Sequence, residues 1–385
     1  MPSTLAPVAV AFSLFGCFWG SWAVAAANVE RSLGVSHGGF GLILSAGLAG
    51  AAFSNAAGGA LAERWGTSRV LGSALVGWAA LLAAGAAAPG AVALGLSLVA
   101  IIVSAGLVDV VMNVAATAAL SATPGRLVRV PARFKAGAAV GAGIMGGLLG
   151  ASAGGWRWVW AATAVGAAIL GAFVLRAHLP AAGAGEHVSV GGALTLLRRE
   201  RLVLVAAAFA IGAMVEGGVE LWGVLYLRTH LASGLLVGSA GAVLGYLVAT
   251  IARVTLGPAA GRRSPRTGVG AGATVAALGL VLLVAAPQPW LAAAGLVLAA
   301  GGISLCWPLL LAHASAGRAR PAAVVGGVSA VGYTGFVVGP AVVGWLAAGV
   351  GLRAGLLFLA AAAVFVAVAP SVAVRREPEK SPSGY

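Results

Sequence analysis

The sequence predicts an all-α membrane protein whose twelve transmembrane helices form two pseudo-symmetric six-helix bundles. Three observations carry that prediction. Charge is scarce: of 385 residues 8% are charged and 61% are apolar, with a mean hydropathy of +1.03. A soluble domain carries about 25% charge, so this chain cannot cover a water-facing surface and its solvent is lipid. Apolar stretches of about 20 residues, the length that spans a bilayer, recur along the chain. The longest polar break, Arg176 to Arg201 (RAHLPAAGAGEHVSVGGALTLLRRER), falls near the middle and divides those stretches six and six.

The first span covers 8–28. It shares the apolar character of a signal peptide, but it is too long, lacks a basic start and is followed by many more spans, so it reads as a retained helix. The next five cover 40–60, 70–88, 91–120, 134–152 and 156–175, the fourth being long enough to tilt or to project beyond the lipid. Pro180, the glycines at 183 and 185, and Arg198-Arg199-Glu200-Arg201 mark the central break as solvated loop or surface helix. Six more spans follow at 202–225, 235–256, 269–286, 290–312, 322–348 and 354–374. The expected organisation is an N-terminal bundle (1–175), a linker (176–201), a C-terminal bundle (202–374) and a tail (375–385).

Charge placement supports this division. A net charge of +14 would suggest a nucleic-acid partner in a soluble protein. Here it reads as positive loops on the cytoplasmic side of a bilayer, with lipid and not nucleic acid as the surrounding partner. Of the 23 Lys and Arg, nineteen, Lys135 and Arg253 among them, fall in loops on the linker's side, and only Arg31, Arg157, Arg228 and Arg353 fall opposite. That split predicts that both termini and the linker are cytoplasmic. Trp156, Trp158, Trp160 and Trp290 fall at outer span ends, where interface aromatics belong. The two halves also match. Span five carries Gly137, Gly141, Gly143, Gly146, Gly147 and Gly150, and span eleven carries Gly332, Gly335, Gly339, Pro340 and Gly344. Small residues at such spacing let helices approach closely, and parallel six-helix repeats are the plan of one large transporter class.

The turn after span two reads Gly59-Ala-Leu-Ala-Glu63-Arg64-Trp-Gly66-Thr-Ser-Arg69. It resembles the signature loop of the major facilitator superfamily, G-x-L-x-D-R-x-G-R-K, with Glu in place of Asp and Thr67-Ser68 where basic residues are usual. Further stretches resemble a bacterial branch near the fucose–proton symporters. They are Ser21-Trp22-Ala23, Asp109 to Asn113, Glu216-Gly217 with Trp222 and Tyr226-Leu227-Arg228, and Gly332 to Pro340. That branch often has an acid just before the span-seven Trp; here Leu221 holds the place and Glu220 precedes it. The resemblance covers nearly the whole chain. It implies the major facilitator fold, a bacterial inner-membrane location, a monomer, and transport of a small solute through a cavity lined by spans one, four, seven and ten. It also implies a cytoplasmic gate at Gly59, Glu63, Arg64, Gly66 and Arg69 on span two, closing near Gly339 and Pro340 on span eleven.

An ionisable group deep in a bilayer is costly, and is a functional candidate by default. Six of the nine acids fall in loops, the tail or helix ends, leaving Asp109, Glu216 and Glu220. Asp109 is 11 residues from the inner end of its span at Leu120, roughly 16 Å at the helical rise. Glu216 is 15 residues beyond Arg201, roughly 22 Å by the same rise. In a core about 30 Å thick both are well inside. Nothing basic is expected at the depth of Asp109, so its carboxyl can take up and release a proton as coupling requires. Asn113, one turn on, can hydrogen-bond it. The plainer alternative is a structural acid satisfied by Asn113 and backbone. Glu220 falls nearer the outer surface, where water or Arg228 would satisfy it.

Trp19, Trp22, Trp222, Tyr226, Trp307 and Tyr333 are candidate cavity aromatics that could stack on sugar rings or organic cations; packing is the plainer role for each. The chain has no phosphate-binding loop for ATP, no Cys/His metal spacing and no nucleophile–base pairing. No cofactor, metal or enzymatic activity is expected. The expected function is a secondary transporter working by alternating access with protons as a partner. Uptake of a sugar-like solute and export of a drug or metabolite are both open. Gly141-Ala-Gly143-Ile-Met-Gly146-Gly147 partly resembles the exporters' G-P-x-x-G-G and leans toward export. A receptor or scaffold of the same fold would have no need of deep acids.

Overall fold

The computed structural model describes residues 5–120, 129–179, 190–229, 234–256, 265–315, 318 and 321–374. These residues form helices joined by short turns, with no strand among them. Twelve helices are long and apolar enough to cross a bilayer. They are α1 (Leu5–Leu33), α2 (His37–Trp65), α3 (Thr67–Ala86), α4 (Ala91–Leu120), α5 (Arg129–Ala151) and α6 (Gly155–Arg176), then α7 (Val203–Thr229), α8 (Leu235–Leu256), α9 (Pro265–Ala285), α10 (Pro289–Ser315), α11 (Pro321–Val350) and α12 (Leu352–Val374). Successive helices alternate direction. The α2–α3 turn and the end of α6 therefore lie on one face, called here the linker face, and the α1–α2 and α5–α6 turns lie on the far face. The tail expected at 375–385 and the linker's 180–189 lie outside the described residues. So do Arg126, Arg262, Arg263, Arg320, Arg375, Arg376 and Lys380.

The helices begin and end where local chemistry dictates. Ser36 caps α2 by accepting the N–H of Gly39 at 3.2 Å, and Pro289 opens α10, where a missing N–H costs nothing. Gly66 stands between α2 and α3 with φ +87°, a conformation that only glycine adopts without strain. The glycine of the signature turn is thus explained by the backbone alone. In the linker, a short helix (Val190–Arg199) buries Leu197 and ends in Arg198 and Arg199, and Glu200 pairs with Arg318 at 3.0 Å.

Glycines decide which helices touch, and they do so in the same way in both halves. A Cβ on Gly16 or Gly20 of α1 would lie 2.0 or 1.9 Å from the carbonyl oxygen of Phe134 or Ala138 on α5. Reciprocally, a Cβ on Gly137 or Gly141 of α5 would lie 2.2 or 1.9 Å from that of Ser13 or Cys17. Backbone rests on backbone along this seam. The other side of α5 faces the second half: Gly143 is near Val243, Gly146 meets Ser239 and Gly150 is near Leu235, all on α8. In the second half α11 does the same. Gly332, Gly335 and Gly339 pack on Phe209, Ala210 and Met214 of α7, while Gly344 packs on His37 and Gly41 of α2. The pairings α5 with α1 and α8, and α11 with α7 and α2, are related by the pseudo-symmetry of the two bundles.

Two placements are corrected here. Trp156 and Trp160 are 1% and 0% exposed, in edge contact with each other at 4.9 Å, and belong to the core; Trp158 and Trp290 do face outward. Lys135 and Arg253, counted with the loop charges although they stand at the ends of spans 134–152 and 235–256, lie within α5 and α8. Gly16 of α1, eleven residues from the start of that helix, packs on Phe134. That contact sets Lys135 roughly 17 Å into the bundle at the helical rise.

Candidate functional site

The two bundles are joined at the far face. Gly41 of α2 packs on the carbonyl of Pro340, and the Ala341 N–H, just past that proline, donates to Ser45 Oγ at 3.0 Å. Proline interrupts the helical ladder and frees neighbouring backbone groups for such a partner. Arg228 of α7 reaches across to α1, donating to the Val24 carbonyl and, at 2.8 Å, to Asn28 Oδ1. Asn28 in turn donates to the Ala153 carbonyl at 3.0 Å. Trp222 of α7 is 1% exposed and stands edge-on to His37 and Phe40 of α2, with ring centres 6.1 and 6.2 Å away. His37 Nδ1 is 2.5 Å from Glu30 Oε1 on α1. Together these contacts seal the far face.

The expected partnership of Gly339 and Pro340 with the signature turn is therefore not what this conformation holds. Pro340 is 19 residues beyond Pro321, roughly 29 Å along the helix, and it meets the opposite end of α2. Glu63, Arg64 and Arg69 sit exposed at the linker face, and Gly59 is half-buried on α2 a turn away. Between the bundles on that side is an opening. Asp109 is half-buried, Asn113 is exposed and Tyr333 is 38% exposed, although all three lie mid-helix.

Asp109 faces this opening from α4. Asn113 Nδ2 donates to its Oδ1 at 3.1 Å and to its carbonyl at 2.9 Å, the pairing expected from the one-turn spacing. No ion pair to Asp109 is found among the described residues. Tyr333 of α11 approaches from the other bundle, close enough to feel the carboxylate's charge. Behind it is an aromatic cluster. Trp307 of α10 lies 4.5 Å from Phe209, 5.9 Å from Tyr333 and 5.5 Å from Phe336, centre to centre. The indole Nε1 of Trp307 is buried without a hydrogen-bond partner. Trp19 is half-buried on α1, against Phe15 and Phe18.

The other candidate aromatics are packing residues. Trp22 is 4% exposed and wedged against Phe40 and Trp160. Tyr226 is turned into the second bundle, its hydroxyl donating to the Val284 carbonyl at 3.4 Å. Trp222 belongs to the far-face seal. A π turn at 219–223 rotates this part of α7, which is why a regular helical count does not place these side chains.

The acids of α7 also differ from expectation. Glu216 and Glu220 both accept from Lys135 Nζ, Glu216 at 3.2 Å, and Glu216 also accepts from Arg253 Nη2 at 2.6 Å. Glu220 is therefore paired with Lys135 and not with Arg228. Lys135 and Arg253 are the site residues that the sequence reading missed. One signal did exist: Lys135 is one of only two lysines among 23 basic residues. In a chain that otherwise uses Arg, a lysine beside an apolar span stands out.

Two six-helix bundles sealed at one face, open at the other, with an acid and aromatic side chains in the gap, define a multi-pass membrane transporter. The chain belongs to the Major Facilitator Superfamily, whose description residues 8–317 match. An uncharacterised MFS-type transporter of Yersinia pestis is 26% identical over 354 residues, covering 88% of this chain and 87% of that protein. Among solved structures, the nucleoside transporter NupG superposes with a TM-score of 0.74 at 16% identity, covering 97% of this chain and all of the other. A D-xylose–proton symporter gives 0.73 at 16% identity, covering 98% and 99%. A bacterial homologue of the human lysosomal transporter Spinster, in an inward-facing and occupied conformation, gives 0.75 at 15% identity and covers 96% of each chain. These structures share the fold with this chain. The family is one of secondary transporters and not of enzymes.

Proposed function

We propose that the protein moves a small organic solute by proton-coupled alternating access, and that Asp109 carries the coupled proton at the solute site. The observation that carries this is the isolation of Asp109. Its carboxylate faces the gap between the bundles with Asn113 as its hydrogen-bond donor and, among the described residues, no cation paired to it. The acids of α7, by contrast, are neutralised by Lys135 and Arg253. An unpaired carboxylate reached by water can alternate between charged and neutral states as the gap opens to one side and then the other. Trp307, Tyr333 and Phe336 supply flat apolar surface for a ring-bearing solute opposite that carboxylate. The symporter among the structural neighbours and the branch resemblance support proton coupling. To test the reading, purified protein in vesicles is offered a panel of sugars, nucleosides and organic amines while internal pH is followed. Solute-dependent proton flux is the expected result, and solute movement without any proton flux would remove the coupling.

We further propose a bacterial inner-membrane monomer, with the linker face cytoplasmic and bundles at 1–175 and 202–374 joined by 176–201. Support comes from the charge split, which stays at seventeen against four once Lys135 and Arg253 are set aside as intramembrane residues. In cells lacking the native cysteines, Gln288→Cys, exposed at the far face, should react with an impermeant thiol reagent. His178→Cys, exposed at the linker face, should not. Labelling of the second from outside would invert the orientation.

A further inference from the structure

A second group of charges lies within the spans, apart from Asp109, and draws on both bundles. Lys135 of α5 is 5% exposed, and its ammonium contacts Glu216 and Glu220 of α7 while lying 5.3 Å from the ring centre of Tyr246 on α8. Arg253 of α8 holds Glu216 and also donates from Nε to the Ser304 carbonyl of α10 at 2.9 Å. Glu220 sits in the π turn 219–223 and Arg253 in a second π turn at 252–256. Such turns cost helix regularity and recur at functional sites.

The partnership is asymmetric. Glu216 is held by a cation of its own bundle, whereas Lys135 is the one member supplied by the other bundle. Among the described residues Lys135 is the only ion-pair partner of Glu220. The α5–α8 seam that helps close the far face runs down from Gly150 and Leu235 and reaches Lys135 and Tyr246 at its lower end. If the bundles rock to open the far face, Glu216 keeps Arg253. Lys135 and Glu220 would part as separate charges in a low-dielectric interior, which is strongly unfavourable. A proton on Glu220 removes one of the two carboxylate charges that hold the ammonium, leaving it only Glu216, which Arg253 already neutralises from within its own bundle. A small pocket of about 20 Å³, roughly the room one water needs, touches Glu220 and is lined by Gly241, Gly245, Tyr246, Ala249 and Ala300. The Glu220 side chain is 28% exposed, so water can reach it.

We propose that Lys135 is the latch that holds the bundles closed at the far face, and that protonation of Glu220 releases it. The proton comes from water and adds to the Glu220 carboxylate. Lys135 stays charged and is hydrated as the far face opens. This rests on the proton-coupled alternating access proposed above, with Glu220 and Lys135 as coupling residues beyond Asp109. The groups facing Glu220 are Lys135 from α5, Glu216 from its own helix, and Tyr246 and Arg253 from α8. Cys306 of α10 lies beyond Glu216.

The test needs no solute, so it stands or falls separately from the transport reading. Spin labels are placed at the far face on either bundle, at Gly90→Cys and Gln288→Cys, in full-length protein without Cys17 and Cys306. Between about pH 8 and about pH 5, a range that approaches carboxylate titration, the wild type should gain a longer-distance population at least tenfold. Glu220→Gln and Lys135→Met should show that population at every pH, while Lys135→Arg keeps the closed state. The His37–Glu30 pair is a second pH-sensitive contact at this face, and all three variants leave it intact. A wild-type distance distribution that ignores pH overturns the proposal, and needs no variant to fold. So does a Glu220→Gln protein with the wild-type response. Far-face opening that follows pH without any proton-driven flux keeps the latch and removes the transport reading.

Discussion

Asp109→Asn is expected to abolish transport driven by a pH gradient while leaving solute binding in place. The amide preserves size and hydrogen bonding, so Asn113 still has a partner, but it cannot titrate. The site is then fixed in the equivalent of its protonated state. Alternating access driven by protons requires the site to differ between the two faces, and the proton supplies that difference. Gradient-driven uptake or export should fall by roughly 100-fold, about 2.7 kcal/mol of lost driving interaction. Exchange of labelled for unlabelled solute at equal pH should persist, because it needs no net proton movement. Binding and both fluxes must be measured on the same purified protein. A structural role for Asp109 predicts a different pattern: either normal flux or loss of binding together with flux. Normal gradient-driven transport would leave Lys135, Glu216 and Glu220 as the remaining coupling groups.

The division of labour between the two charge groups explains why one was legible in the sequence and the other only in part. Asp109 and Asn113 could be read because both lie on one regular helix, where a one-turn spacing fixes the contact. All twelve spans could be read for a related reason: hydropathy over 20 residues does not depend on which way any side chain points. The α7 network depends on neither rule. Lys135 stands near the start of an apolar run and looks like a loop charge until the α1–α5 seam shows how deep Phe134 lies. Arg253 falls three residues from the end of its span and counts there as a loop charge, but a π turn at 252–256 carries it and it reaches back to Glu216. Trp222 and Tyr226 sit in and beyond the other π turn, so their faces cannot be counted from Val203. The misplaced gate has a different cause. Pro340 is past the middle of its 30-residue helix. Counting alone would have put it toward the far face, but the resemblance drew it to the signature turn.

Gly141→Ala is expected to be among the most destabilising single-methyl changes in the protein, and Gly147→Ala, two turns along the same helix, is expected to be neutral or stabilising. The difference lies in what each methyl would meet. At Gly141 it would lie 1.9 Å from the Cys17 carbonyl oxygen, whereas at Gly147 nothing lies within 4 Å. The obstacle at Gly141 is backbone, so no rotamer change relieves it, and α1 and α5 must move apart along the seam. Overpacking of this kind costs roughly 3 kcal/mol, whereas an unobstructed Gly→Ala change in a helix gains roughly 0.5–1 kcal/mol. Thermal unfolding of purified Gly141→Ala should therefore shift well below wild type, while Gly147→Ala stays at or above it. Gly20→Ala, whose methyl would lie 1.9 Å from the Ala138 carbonyl oxygen, should match Gly141→Ala. The double variant should cost less than the sum, because the first methyl has already separated the helices that the second would strike. Equal melting of Gly141→Ala and Gly147→Ala would show that α1 and α5 do not meet backbone to backbone. In that case the depth assigned to Lys135, which rests on that seam, would have to be revised with it.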